Sequence, residues 1–253
     1  MFKYVIAFII LGSIVVTYFG YQSAHRGYRK IFPDVQVVQN QYPVFLKKEG
    51  LKNSYIFHKK KPGHWRTLHE ISRKAIGAIL TAEDGNFYKH NGYDPEAIRE
   101  AIKHNSLPGI RVKRGGSTIT QQVVKNLFLF PEKTISRKIR EILLAVEVER
   151  LVSKNKILEI YLNIAEWGPG IYGIEQASEH YFNKSAQDLT AKEGAVLAFL
   201  LPNPRRYQHS FKNGELSIFG TNRVDTILER MWKTGRISDE EYLSASNESE
   251  IDD

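Results

Sequence analysis

A chain of 253 residues with 42% hydrophobic content is long enough for one sizeable domain with appendages. Without cysteine it has no disulfides, no thiolate chemistry and no cysteine-ligated zinc site. The net charge of +8 understates the body: residues 238–253 hold seven acids and no Lys or Arg, so residues 1–237 carry +15, which favours an anionic partner such as nucleic acid, anionic lipid headgroups or a phosphorylated substrate.

Phe2 to Tyr21 is apolar apart from Lys3, Ser13 and Thr17. Twenty helical residues at ~1.5 Å each span a hydrocarbon layer of roughly 30 Å, so residues 1–24 are expected to form a transmembrane anchor. Gln22-Ser23-Ala24 is a poor signal-peptide cleavage site, and the apolar run is long for one. His25, Arg26, Arg29 and Lys30 follow the span and only Lys3 precedes it, so the positive-inside rule alone would put the body in the cytoplasm. Residues 25–66 read as a stalk, with Tyr42 to Phe45 extended and Lys59 to Gly63 a basic turn.

From Thr67 the pattern is helical. Thr67 and Glu70 form a capping box, and Leu68, Ile71, Ala75, Ile79 and Ala82 recur at helical spacing up to Glu83. A carboxylate at that helix end lies in the negative field of the dipole, which favours its protonated form and suits a proton acceptor. Asp94-Pro95 opens a second helix running to about Asn105. Gly115-Gly116, flanked by Arg111, Lys113 and Arg114, precedes a helix capped by Thr118 and Gln121, where exposed backbone amides can seat an anion. Leu127 to Phe130 reads as core, with insertion into lipid as the alternative.

Ser136 is expected to cap the next helix, with Ile139, Ile142, Leu143 and Val146 as its buried stripe and Glu141 elsewhere. Further helices are expected over Lys154 to Asn163, Gly173 to Tyr181, Thr190 to Leu201 and Asn222 to Thr234, with Trp167 to Gly170 a loop and Ser238 and Glu241 capping a short last helix. The fold is therefore mainly α. Residues 67–237 form the main domain and 238–253 an acidic tail.

Taken singly, Glu83 and Asp84 are ordinary acids at a helix end, and Glu141 is a surface partner for Arg137 and Lys138. The histidines show no HExxH or other tight metal-ligand spacing, and there is no phosphate-binding P-loop or dinucleotide fingerprint.

The combination says more. Glu83-Asp84-x-x-Phe87-x-x-His90-x-Gly92 is followed by Gly116 to Gln122, then Arg137-Lys138-x-x-Glu141, then Lys156-Ile157-Leu158-Glu159-x-Tyr161-Leu162-Asn163. This ordered series resembles the peptidoglycan glycosyltransferases, a family of stand-alone monofunctional enzymes and of domains in class A penicillin-binding proteins. The resemblance runs from about residue 65 to 207. No transpeptidase domain fits after Tyr207, so the monofunctional biosynthetic type is expected.

The resemblance implies a lysozyme-like helical glycosyltransferase domain that joins lipid-linked disaccharides into β-1,4 glycan strands with inversion as undecaprenyl diphosphate leaves. By motif match Glu83 is the general base for the acceptor 4-hydroxyl. Glu141 is a second required carboxylate near the diphosphate, acting through water or a cation. Lys125, Lys133, Arg137 and Lys138 match basic positions for the diphosphate, Lys133 standing where many members carry Arg. Ser117, Gln121 and Gln122 match polar substrate contacts.

No cofactor is required by this resemblance, although a divalent cation near the diphosphate is left open. Expected partners are the lipid-linked precursor, the growing strand, the membrane lipid and a wall-building complex, with no nucleic acid. Because the wall lies outside the cytoplasmic membrane, the body is expected on the periplasmic side of the bacterial inner membrane, against the charge bias around the anchor. The alternatives are a wall-cleaving enzyme of lysozyme-like fold, which needs an acid but no cluster of cations, and a basic membrane-anchored binding protein without catalysis.

Overall fold

The computed structural model describes residues 33–49, 52–109, 114–130, 132, 134–212 and 215–247. Residues from Gln36 onward pack as one unit, which is mainly helical. Among the described residues no helix is long and apolar enough to cross a membrane, and the anchor expected over residues 1–24 lies outside them. So do Arg111, Lys113, Lys133 and the last six residues of the acidic tail.

The extended segment expected at Tyr42 to Phe45 is present and is longer than expected, and it belongs to a hairpin that the sequence reading did not foresee. Strands β1 (Tyr42–Glu49) and β2 (Lys52–His58) pair antiparallel, with a register shift between Phe45 and Lys47. Phe45 stacks on Tyr172 at 3.7 Å between ring centroids, and Trp65 meets Tyr42 edge to face, so aromatic packing ties the hairpin to the helical body.

The Thr67–Glu70 capping box exists, but it closes a single 3-10 turn, Leu68–Glu70. The helix expected from Thr67 breaks at Ile71, whose backbone is extended, and restarts as α1 (Arg73–Glu83). Tertiary contacts cause the break: Ser72 takes the Ala186 carbonyl with its backbone N–H and the Leu189 carbonyl with its hydroxyl, whose oxygen also caps α1.

Helices α2 (Pro95–Asn105) and α3 (Ile119–Phe128) start at Asp94 and Thr118, as their capping residues dictate. Thr134, not Ser136, caps α4 (Ile135–Leu151). The expected stripe on α4 is reversed: Ile139, Leu143 and Val146 are exposed, while Glu141, Leu144, Ala145 and Val148 are buried. Leu144, Ala145 and Val148 fill the inner face against α3 and the loop at Gly92, and Glu141 shares that face one turn earlier because Arg137 and Lys138 supply its counter-charge.

Helix α5 (Lys154–Ile164) buries Ile157, Leu158, Tyr161 and Leu162 as its periodicity requires. Trp167 to Gly170 is part of a small hairpin, β3 (Glu166–Gly168) with β4 (Ile171–Tyr172), rather than a plain loop. Helix α6 (Ile174–Phe182) follows, and then α7 (Ala191–Leu200), apolar almost all round and central in the core. Gly194 lets α7 approach α1 closely, since a Cβ there would lie 2.5 Å from Ala75 Cα. Helix α8 (Ile218–Lys233) packs on both, beginning four residues before the expected Asn222 because Ser217 caps it. Helix α9 (Asp239–Asn247) closes the C-terminal side, with Trp232 stacked on Tyr242 and Lys74 paired to Glu241.

Candidate active site

Glu83 is the last residue of α1, and Asp84 is its cap residue. Their carboxylates part company. Asp84 turns inward and accepts His90 Nε2 at 3.0 Å and the backbone N–H of Ile119, the first residue of α3, at 3.0 Å. Glu83 stays half-buried and accepts Gln122 Nε2 at 2.6 Å. Burial raises the Glu83 pKa above the ordinary carboxylate value; the Gln122 hydrogen bond and Lys125 oppose the rise, and the Asp84 charge adds to it. A carboxylate whose pKa is raised in this way is a stronger base than an ordinary one.

The second half of the site comes from α3 and α4. The Thr118 hydroxyl donates to the Gly92 carbonyl at 2.6 Å and caps α3, fixing the start of the helix that carries Gln122 and Lys125. Gly92 has φ +92°, and a Cβ there would lie 2.7 Å from the Ala145 backbone, so only glycine lets this loop touch α4.

On α4, Arg137 donates to one oxygen of Glu141 and Lys138 to the other. Lys138 Nζ also donates to Ser117 Oγ at 2.9 Å, which joins α4 to the glycine loop. Lys125 is within Coulombic reach of both acids. Desolvation lowers its pKa and the nearby Arg137 and Lys138 lower it further, while Glu141 and Glu83 raise it. The two glutamates, distant in sequence, thus act on one lysine.

Not every residue picked from the sequence is open to a substrate. Gln121 is wholly buried, and its side-chain oxygen accepts the Thr118 N–H. Gln122 is engaged with Glu83, and Lys133 lies outside the described residues. Around Glu141 the neighbours are cations, and both its oxygens are taken. Among the described residues no group of three His, Asp or Glu could hold a metal ion, so the cation left open by the sequence gains no donor set from these side chains.

The sequence reading missed three contributors. Asp84 was read with Glu83 as one acidic pair, yet consecutive helical residues point about 100° apart and need not share a task. His90, which carried no metal-ligand spacing, has its side chain buried against Asp84, a bracing contact whose partner spacing alone did not name. Arg236 reaches back to donate to the Gly85 carbonyl at 3.2 Å, a contact between residues 151 positions apart that no local pattern announces.

The transglycosylase family model matches residues 51–232, most of the chain and all of this site. The chain belongs to the transglycosylase family. The transglycosylase is 41% identical over 211 residues to the biosynthetic peptidoglycan transglycosylase of Pectobacterium carotovorum subsp. carotovorum, an alignment that covers 83% of this chain and 80% of that one. It is 43% identical over 170 residues to the Bordetella pertussis protein of the same description, covering 66% of this chain and 69% of the relative. Penicillin-binding protein 1F of Bacillus subtilis is 43% identical over 182 residues, which are 71% of this transglycosylase but only 24% of that protein.

Proposed function

We propose that this transglycosylase polymerises peptidoglycan glycan strands from lipid-linked disaccharide precursor. Glu83 takes the proton of the acceptor 4-hydroxyl as its oxygen attacks the anomeric carbon of the donor strand. The bond from that carbon to the diphosphate breaks, and undecaprenyl diphosphate departs with the bonding electron pair. The new β-1,4 linkage forms with inversion.

Lys125, Arg137 and Lys138 stabilise the charge that develops on the leaving diphosphate. Glu141 holds Arg137 and Lys138 in place and keeps the cluster from repelling itself. The observation that carries this reading is that Lys125 stands in the fields of both Glu83 and Glu141, so a base for a sugar hydroxyl and a cationic seat for a diphosphate adjoin. The names of the full-length biosynthetic relatives support the same reaction.

A lipid-borne substrate calls for an enzyme at the bilayer. The proposed anchor over residues 1–24 would supply the tether, with the body in the periplasm and a lysozyme-like arrangement of the helices around the groove. The exposed face of α4 supports this location: Ile135, Ile139, Leu143 and Val146 form one apolar stripe.

The test is incubation of the full-length protein with purified lipid-linked precursor, alongside Glu83→Gln and Glu141→Gln. Polymer from the wild type and none from Glu83→Gln is expected. Solubilisation of finished wall without polymerisation would replace this reading with a lytic one.

A further inference from the structure

Gln122 has two ends, and both are committed. Its Nε2 donates to Glu83 Oε2 at 2.6 Å, and its Oε1 meets the hydroxyl of Tyr161 on α5 at 3.5 Å. Tyr161 is 1% exposed, so its ring is fixed in the core.

An ionised carboxylate only accepts hydrogen bonds, and an amide oxygen only accepts, so the chain of three groups closes in one sense alone: Tyr161 donates to Gln122, and Gln122 donates to Glu83. Turning the amide over would set its oxygen against the carboxylate, so the Glu83 anion fixes which way the amide lies and the phenol hydroxyl, able to donate or accept, supports the oxygen that results. The phenol keeps that proton throughout, since burial, followed by the charges of Glu83 and Asp84, holds its pKa well above the ordinary tyrosine value. Gln122 holds Glu83 through Oε2, and none of the contacts of Gln122 competes with an incoming acceptor proton at Oε1 of Glu83.

Resting on the reading of Glu83 as the base, we infer that Gln122 is a positioning residue for Glu83 rather than a substrate contact, and that Tyr161 steadies it by donating to its amide oxygen. The titratable groups around Glu83 are Asp84 on its own helix, Lys125 on α3 and Tyr161 on α5. Asp84 disfavours the anion and Lys125 favours it. Gln122 is the neutral donor between them, and its loss removes support for the anion without changing any charge.

The experiment is the pH dependence of kcat/KM on lipid-linked precursor for the wild type, Gln122→Met, Tyr161→Phe and Glu83→Gln, with thermal melting to verify folding. Gln122→Met, an apolar side chain of similar length, is expected to move the acid limb upward by about one pH unit with little change in KM. Tyr161→Phe is expected to move it in the same direction by less. Should Gln122→Met fail to fold, Tyr161→Phe decides the matter, because it removes one oxygen from an otherwise unchanged shape. An acid limb that stays in place while KM rises about tenfold would overturn the inference in favour of a substrate contact. Wild-type turnover in Glu83→Gln would instead overturn the assignment of the base, a separate result.

Discussion

The carboxylate of Asp84 accepts the backbone N–H of Ile119 at 3.0 Å, so the end of α1 is fastened to the start of α3. The first N–H groups of a helix lack internal partners, and an acid placed there satisfies one of them while meeting the positive end of the dipole. His90 holds the same carboxylate from the other side. The contact therefore fixes the spacing between Glu83, at the end of one helix, and Gln122 and Lys125, on the next. Asp84→Ala is expected to cost on the order of 3 kcal/mol by chemical denaturation, because it leaves buried donors unpaired. In Asp84→Asn, which keeps an oxygen for Ile119, turnover is expected to fall roughly a hundredfold through displacement of Glu83.

Glu83 places function against stability. Its pKa is raised in the folded protein, so its contribution to stability is fully present below the ordinary glutamate value and is lost as pH rises through the folded one. Glu83→Gln removes that loss. The variant is expected to melt above the wild type at pH 8, with the difference vanishing towards pH 4, while its polymerisation activity is gone. Thermal melts of both proteins across this range check the sign.

Lys125 is the cation shared by the two acids. Lys125→Ala is expected to lower kcat by roughly a hundredfold or more, through the lost stabilisation of the departing diphosphate. The acid limb of the pH profile should also move upward, since Lys125 favours the Glu83 anion. Steady-state rates on lipid-linked precursor across pH measure both effects.

The apolar face of α4 yields a test of bilayer docking. Ile139→Lys and Leu143→Lys change side chains that are 54% and 48% exposed, so melting temperatures should hardly move. Polymerisation of precursor embedded in lipid vesicles is expected to fall several-fold, whereas the rate in detergent micelles is retained. Equal losses in both settings would point to damage at the catalytic cluster itself.

Much of the helical frame was legible because its signals are local. The caps at Asp94, Thr118 and Thr190 each place a side-chain oxygen within three residues of the N–H it satisfies, so these helix starts follow from spacing alone. The inward stripe of α5 obeys the same logic, since Ile157, Leu158, Tyr161 and Leu162 are apolar at helical period. On α4 that reasoning failed: the apolar residues Ile139, Leu143 and Val146 face outward, and a carboxylate faces inward. Periodicity cannot tell an apolar face meant for the core from one left exposed, nor detect that a buried acid has brought its own cations on the preceding turn.

By itself the sequence determined which segments are helical, where several begin, and which acids and bases recur in the order of one family, because each of these depends on residues a few positions apart. Tertiary structure decided that Asp84 braces while Glu83 pairs with Gln122, that Tyr161 donates to the same amide, and that Lys125 answers to both glutamates. Those assignments depend on helices distant in the chain meeting at hydrogen-bond and Coulomb range, and only the packing of α1, α3, α4 and α5 against one another fixes which side chains come within that range.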